Sequence, residues 1–359
     1  MSTAHRNRGV ALITALLVVA LATTAAVTLA SNMQLHIRRS GNLVDGDQAA
    51  LYAKAAEGWA KTILSADLKD NDTDDRDDLW ATKLPVPIDL PGGFVFGQIE
   101  DLQGRFNVND LLDARHGQNQ QQADNQNQQN QDQDQNQNGQ TGGNQQASNP
   151  NAYLRFQALL NNLDLDPKLA DTVVDWIDAD INEGQDGAED NYYTGLEVPY
   201  LAANQPMLDI TELRLVKGFE VILDEETGET VYDKILPHVT ALPQRPSKIN
   251  VNFATPAVLA SLSPAIDMDL ARELYRDPAN ADDKPPFDDE GQFTQEIPLS
   301  DDFKEGNKQA LEQLITVASE YFLATAESTI GNGRATFTSI LRRARPTEIK
   351  TVYRGQTTQ

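Results

Sequence analysis

The longest apolar stretch of the chain lies near its start, where residues 10–30 read VALITALLVVALATTAAVTLA without a charged side chain. As an α-helix this stretch is about 30 Å long, which matches the hydrocarbon core of a bilayer. A short basic segment, residues 5–9, precedes it. The pattern predicts a membrane-spanning helix over residues 10–30, with the basic end in the cytoplasm and the bulk of the chain exported.

The helical pattern continues beyond this span to about residue 66. It is carried by apolar residues at intervals close to four and eight, namely Leu35, Leu43, Leu51, Ala55, Trp59 and Ile63. Residues 67–78 contain seven aspartates, and prolines follow at positions 85, 87 and 91. Charge runs of this kind are typical of solvated loops, so we expect one long helix that ends near residue 66.

The remaining chain alternates between strand and helix patterns. β-Branched and aromatic residues predict strands over 93–102, 314–326 and 335–343, with a turn at 328–333 and an edge strand over 350–354. Periodic apolar residues predict helices over 153–163, 169–177, 207–219 and 255–262. Residues 117–146 are almost wholly Gln, Asn, Asp and Gly, which predicts a disordered insertion, either a tolerated loop expansion or an interaction tract.

Charge and composition narrow the chemistry of the exported part. The chain has 29 Lys plus Arg against 54 Asp plus Glu, a net charge of -25, which disfavours nucleic acid as a partner. It contains no cysteine and only four histidines, so neither a disulfide nor a zinc-type site is expected. Any bound metal is therefore expected to be held by oxygen ligands.

Three kinds of segment fit residues 1–30. A removed signal peptide usually has a shorter apolar core and a small-x-small cleavage site, which Thr28-Leu29-Ala30 provides poorly. A plain membrane anchor requires no particular residue before its apolar run. A prepilin-type leader is cut after a glycine that precedes the helix, and Gly9 followed by Val10 has this arrangement.

The acidic segment 164–190 is the main candidate for metal binding, since it carries ten carboxylates and a single lysine. Five of its residues fall at positions 1, 3, 5, 9 and 12 of a calcium loop, namely Asp178, Asp180, Asn182, Asp186 and Glu189. The glycine required at position 6 is replaced by Glu183, so this is not a true EF-hand. A solvated acidic loop is the alternative. Asp190 is a further candidate ligand, of this ion or, with Glu197, of a second one, and Asp175 instead caps or faces its helix.

Two Asn-rich segments echo each other, Phe106-Asn107-Val108-Asn109 and Ile249-Asn250-Val251-Asn252. The second resembles the opening of a DNA-binding helix-hairpin-helix module, but it lacks the glycine hairpin and the basic surroundings. We expect the Asn side chains to satisfy backbone groups at the turns that open the helices. No spacing singles out a nucleophile or base, and we expect a structural protein, not an enzyme.

The start of the chain, RGVALITALLVVALATTAAV, resembles a pseudopilin, with one departure. Pilins carry Glu five residues into the mature chain, where Thr14 stands here. The K-type minor pseudopilins of type II secretion systems lack that Glu. They are also thought to bind calcium, and the DWIDAD and GAED stretches here resemble theirs.

This resemblance implies an α+β fold: a long N-terminal transmembrane pilin-type helix and a pilin-like α/β domain with an antiparallel sheet, interrupted by a large, mostly α-helical inserted domain. The predicted parts are a leader (1–9), a stem helix (10–66), a first pilin-like part (67–116), the disordered insertion (117–147), the α-helical domain (148–300) and C-terminal pilin-like strands (301–359).

The resemblance also implies function and partners. The protein is expected at the pseudopilus tip, where it initiates or caps growth beside the I- and J-type minor pseudopilins. It is expected to be cut by a prepilin peptidase, methylated at Val10, and held in the inner membrane by a single span with its bulk in the periplasm. Alternatives are a competence-type pilin that handles DNA, a membrane-anchored calcium-binding adhesin, and an anchored periplasmic hydrolase.

Overall fold

The computed structural model describes residues 6–70, 72–81, 87–113, 152–276, 284–300, 303–345 and 348–358, and the predicted disordered insertion 117–147 lies outside them. The α-helices are α1 (Arg6–Asp70), α2 (Ala152–Asn162), α3 (Leu169–Ile177), α4 (Asp190–Tyr193), α5 (Val231–Ile235), α6 (Pro256–Ser261), α7 (Met268–Leu274), α8 (Glu290–Gln295) and α9 (Glu305–Glu312). The strands are β1 (Ile88–Leu90), β2 (Gly93–Asp101), β3 (Phe106–Asn107), β4 (Val239–Thr240), β5 (Ile249–Asn250), β6 (Ile315–Thr316), β7 (Tyr321–Ile330), β8 (Gly333–Arg345) and β9 (Glu348–Thr358).

Helix α1 is a continuous stem of 65 residues. At 1.5 Å per residue it is about 97 Å long, and no proline interrupts it. It begins before and ends after the predicted range of 10–66. Its most apolar window has a mean hydropathy of 2.5 and is not buried in the protein, which fits the predicted membrane anchor.

The stem packs on the sheet through small side chains. Ala49, Ala53, Ala60 and Leu64 recur on one helix face and are buried against β7 and β8. The stripe predicted from the larger residues is offset from this face, because Leu51 remains 67% exposed and of the six predicted residues only Ile63, at the end of the stripe, packs against the buried cluster. Alanines allow the helix and the sheet to approach closely, and the large Leu64 is buried only near the end of the stem.

The five-stranded sheet has the order β1-β2-β7-β8-β9, and all its neighbouring strands are antiparallel. The predicted hairpin is confirmed: Ile330 pairs with Gly333 and the chain turns through Gly331, whose φ is +53°. The strand predicted at 314–326 is wrong in its first part. Residues 315–316 form β6, which pairs with β5 outside the large sheet.

The stem gives the sheet a membrane-side end and a far end. The β7-β8 turn lies on the membrane side, where the Asn332 backbone N–H donates to Asp45 on α1 at 3.2 Å. At the other end of the sheet, Asp101 of β2 pairs with Phe322 of β7. Asp45 is about 22 Å beyond the end of the apolar span, since 15 helical residues separate it from Ala30.

The inserted domain begins and ends at the far end of the sheet. The Leu102 N–H donates to the Tyr321 carbonyl at 3.1 Å, so the chain leaves and returns at one point. These crossings differ from the predicted boundaries at 116 and 301, because α9 and β6 lie in the insert before the chain re-enters the sheet at Tyr321. The sequence pattern did not reveal that β6 belongs beside β5.

The insert contains two similar units that share one hydrophobic core. In the first, β3 pairs in parallel with β4 through Phe106 and Val239. In the second, β5 pairs in parallel with β6 through Ile249 and Ile315. Each unit therefore begins with an Asn-Val-Asn segment, continues through short helices and closes with a two-residue parallel strand.

The aspartate-rich segment that follows the stem is partly buried, and the prediction of a wholly solvated loop is wrong. Asp74 is 0% exposed. The Arg343 guanidinium from β8 donates to Asp67 at 2.8 Å, to both oxygens of Asp74, and to the carbonyls of Leu64 and Ser319. One buried arginine thus ties the end of the stem, the loop and the start of β7 together.

Candidate metal centre and stem positions

Helix α3 delivers the candidate metal ligands to the surface. Eight of its nine residues are buried, so the sequence LADTVVDWI anchors it in the insert core. The helix ends at Asp178, whose φ and ψ of -77° and 166° are extended, and the chain then enters the acidic loop. The rigid end of a buried helix therefore positions the first candidate ligand.

Three of the six predicted metal-ligating residues come together. Asp178, Asp180 and Glu189 each offer an oxygen, and these oxygens lie within 4.8 Å of one another. They occupy positions 1, 3 and 12 of the predicted calcium loop. The sequence spacing thus selected a real cluster, although the loop does not have the EF-hand form.

Glu189 is the member of the cluster whose carboxylate the protein satisfies least. Its side chain is buried, and neither carboxylate oxygen has a hydrogen-bond partner among the described residues. Burial and the nearby charges of Asp175 and Asp178 raise the pKa of Glu189 to about 7. A buried carboxylate without a donor is costly, and a cation bound by all three acids relieves both the desolvation and the mutual repulsion.

The other predicted ligands face different partners. Asn182 donates to Asp180 at 2.8 Å, and Asp186 pairs with Lys168 at 3.1 Å. Asp190 accepts a hydrogen bond from the Ala202 backbone N–H at 2.9 Å. These three residues therefore lie outside the cluster: Asn182 and Asp186 because the loop does not follow the EF-hand path on which their assignment rested, and Asp190 because its carboxylate bonds the backbone of Ala202.

Asp175 supports the loop from within α3. It is 0% exposed, and it accepts a hydrogen bond from the Gly184 backbone N–H at 2.9 Å. Gly187 packs directly over its carboxylate, where an added Cβ would lie 1.8 Å from Asp175 Oδ2. An aspartate among the apolar residues of the second half of the helix, Val173 to Ile177, was the sequence signal for this role, whereas the need for Gly187 had none.

The two Asn-rich segments have structural roles, as predicted. Asn109 bonds the N–H and carbonyl of Met207, and Asn252 does the same to Phe287. In both units an Asn side chain thus makes the pair of hydrogen bonds that a neighbouring backbone segment would make, and so joins two loops. The partners lie in distant loops, Met207 and Phe287, and not only in the turns that open the helices.

The assembly position Thr14 and the half-buried His238 both have ordinary local partners. The Thr14 hydroxyl bonds back to the carbonyls of Val10 and Ala11 at 3.1 and 3.0 Å, so the stem satisfies it internally. His238 lies 2.7 Å from the Thr255 hydroxyl, and burial together with the positive charge of Arg105 lowers its pKa to about 4. Gly9 and Val10 lie in the first turns of α1.

Comparisons with known proteins agree with this architecture. The family described as "Type II secretion system (T2SS), protein K" matches residues 104–244, which cover the first unit of the insert. Type II secretion system protein K of Pseudomonas aeruginosa is 32% identical over 97% of this chain and 92% of its own length. The protein K of Aeromonas hydrophila is 29% identical over 97% of both chains.

A solved structure extends the match to the fold. The crystal structure of the GspK-GspI-GspJ complex from the type 2 secretion system of enterotoxigenic Escherichia coli contains a chain that is 26% identical, with a TM-score of 0.65. The match covers 89% of this chain and 99% of that one. The sequence similarity over nearly the full length, the pilin-type stem and the helical insert establish that this chain belongs to the type II secretion system protein K family, the K-type minor pseudopilins.

Proposed function

We propose that this minor pseudopilin caps the tip of the type II secretion pseudopilus and initiates its growth for protein export across the outer membrane. The observation that carries the proposal is the position of the insert. It leaves the sheet between Asp101 and Tyr321, at the end farthest from the membrane. A domain at this end of the sheet is expected to obstruct a further pilin-like head beyond it.

The stem chemistry supports the same end position. Thr14 replaces the carboxylate expected at the fifth mature position, and its hydroxyl is already bonded within the helix. An uncompensated charge in the membrane is costly, so a stem without it needs no neighbour to neutralise it. The stem can therefore end a row of subunits.

Other minor pseudopilins of the I and J types are the proposed partners, by analogy with the solved complex of the Escherichia coli relative. The stem offers them an exposed apolar surface over residues 10–30. Its small side chains allow close packing of helices, and they include Ala11, Ala15, Ala22 and Ala26.

Co-expression with the I- and J-type proteins of the same system tests this assembly. The expected result is a detergent-stable ternary complex. Thr14→Glu is expected to leave the fold unchanged but to let further stems add beyond the tip, while Thr23→Glu controls for a charge at another exposed stem threonine. Failure to form the complex, with the chain folded, would overturn the proposal.

Processing is the second part of the proposal: a prepilin peptidase cuts between Gly9 and Val10, and the new amino terminus is methylated. The processed protein is held in the inner membrane with its head in the periplasm. Mass spectrometry of the membrane-extracted chain, made with and without the peptidase, tests this. A chain that keeps Met1, or one cut near Ala30, contradicts it.

The third part concerns calcium, which we propose is held by Asp178, Asp180 and Glu189. An all-oxygen, all-carboxylate set suits a hard divalent cation with a flexible coordination number. Bound only by the folded state, the ion stabilises the insert. The ion would neutralise the three carboxylates, and the end of α3 and the loop after it would hold those carboxylates in position.

Calorimetric titration of the metal-free chain with Ca²⁺ tests the site. Asp178→Asn with Glu189→Gln is expected to weaken binding at least tenfold. Asp186→Asn is the matched control, since it removes one carboxylate from the same loop but outside the cluster. Equal affinity losses in the two variants would contradict the assignment.

A further inference from the structure

Two adjacent arginines on the stem have no partner in the described part of the chain. Arg38 and Arg39 are exposed, and neither forms a hydrogen bond or an ion pair there. Acidic residues outnumber basic residues by 54 to 29, so carboxylates are abundant in this protein. The described residues therefore leave both guanidinium groups available to another group.

The length of the helix places this pair at one depth of a bilayer. Arg38 lies 30 residues beyond Arg8, a rise of about 45 Å along an unbroken helix. A bilayer including both headgroup layers is about 40–45 Å thick. When the apolar span crosses the hydrocarbon core, Arg38 and Arg39 thus lie at the headgroup layer on the exported side.

The direction of helical side chains brings the guanidinium groups closer to the lipid. Side chains on an α-helix lean toward its N-terminus, which here is the end in the membrane. The Cα of Arg38 is about 12 Å beyond Ala30, and the long side chain reaches back over part of that distance. Guanidinium binds phosphate with two parallel hydrogen bonds, a geometry that an ammonium cannot provide.

We propose that Arg38 and Arg39 bind phospholipid phosphates in the outer leaflet of the inner membrane and thereby set the height of the stem. The nearest following carboxylate, Asp45, is about 10 Å farther from the membrane and already accepts a hydrogen bond from the β7-β8 turn. The lipid phosphates are thus the anions at the right level. This proposal rests on residues 10–30 spanning the membrane, and it does not depend on the protein lying at the pseudopilus tip.

The contact between the two arginines and the lipid would fix the height of the sheet as well as that of the stem. Because Asp45 holds the turn at Asn332, the membrane-side end of the sheet is about 10 Å above the arginines. The stem and the sheet are packed as one body, so a stem held at one height also holds the head at one height. Release of the arginines from lipid then accompanies any outward movement of the subunit.

A depth measurement on the full chain tests the proposal. The chain contains no cysteine, so Gln34→Cys gives one site for a nitroxide label. The labelled chain is placed, one copy per nanodisc, in phosphatidylethanolamine and phosphatidylglycerol, and its depth is read from oxygen and nickel accessibility. R38Q/R39Q is expected to shift the label by about 3–5 Å, up to one helical turn.

Two comparisons make the result decisive. K54Q removes an exposed cation from the same stem, about 24 Å farther out, and is expected to cause no shift. R38K/R39K is expected to retain part of the wild-type depth. The proposal is overturned if R38Q/R39Q behaves as K54Q does, or if its shift appears only when two chains share a nanodisc, which would assign the pair to a carboxylate of a neighbouring stem.

Discussion

Replacing Arg343 with methionine removes the cation that ties the end of the stem to the sheet. The guanidinium of Arg343 is buried, and it donates to Asp67, Asp74, Leu64 and Ser319. Methionine has similar bulk, so the change leaves mainly electrostatic damage. Asp74, which is 0% exposed, then keeps a buried charge without its cation.

The expected loss follows from this burial. Removing one partner of a buried ion pair costs about 3–5 kcal/mol. For a head of this size, each kcal/mol lowers the melting temperature by about 2–4 °C, so R343M is expected to melt roughly 6–20 °C lower. R343M/D74N removes the stranded charge as well and is expected to recover more than half of the loss.

The assay is thermal unfolding of the full chain in detergent, followed by tryptophan fluorescence, to which Trp80 contributes from its place on Phe322 beside the cluster. The matched control is R342M. Arg342 precedes Arg343 in β8, but it is 45% exposed and pairs with Glu320 at the surface, a contact worth about 0–1 kcal/mol. The reasoning is refuted if R343M melts no lower than R342M, or if the double variant is no more stable than R343M.

Three further predictions concern the stem, the metal loop and the insert. Burial alone would raise the pKa of Glu57, but hydrogen bonds from Arg354 and other donors outweigh it and hold the pKa well below its usual range. The wild-type protein should therefore lose stability as the pH falls below 4.5, and E57Q should lose less, as measured by melting temperatures at pH 6 and 3.5. G187A should weaken calcium binding at least tenfold by calorimetry, because its Cβ would meet a buried carboxylate, whereas G306A, which meets nothing within 4 Å, should not. N252A should lower the free energy of unfolding by about 1–3 kcal/mol in urea, because it strands buried backbone groups; an unchanged midpoint would contradict that role.

The elements that the sequence predicted well are those specified by nearby residues. The apolar first half of helix α1, the β7-β8 hairpin and helix α3 depend on apolar runs and turn residues within a few positions. The face of the stem could not be predicted, because close approach to the sheet favours Ala49 and Ala53 over the larger Leu51. The burial of Asp74 depends on Arg343, which lies far away in sequence and gives no local signal.

The candidate metal site was predicted in part for a similar reason. Spacing identified Asp178, Asp180 and Glu189, since the loop does return its twelfth residue to its first. It misplaced Asn182 and Asp186, whose positions require the EF-hand path. The partner of each loop residue is decided by how the chain folds over α3, and spacing along the chain does not encode that.

The single crossing point between sheet and insert has a consequence for the order of folding. Strand β2 must find β7, although more than 200 residues lie between Asp101 and Phe322, and closing so long a loop is slow and entropically costly. Once the insert has folded, its two ends are one hydrogen bond apart, between Leu102 and Tyr321. Folding of the insert before the sheet would therefore bring β2 and β7 together without a long loop to close, and mutations that slow the collapse of the insert are expected to delay formation of the sheet.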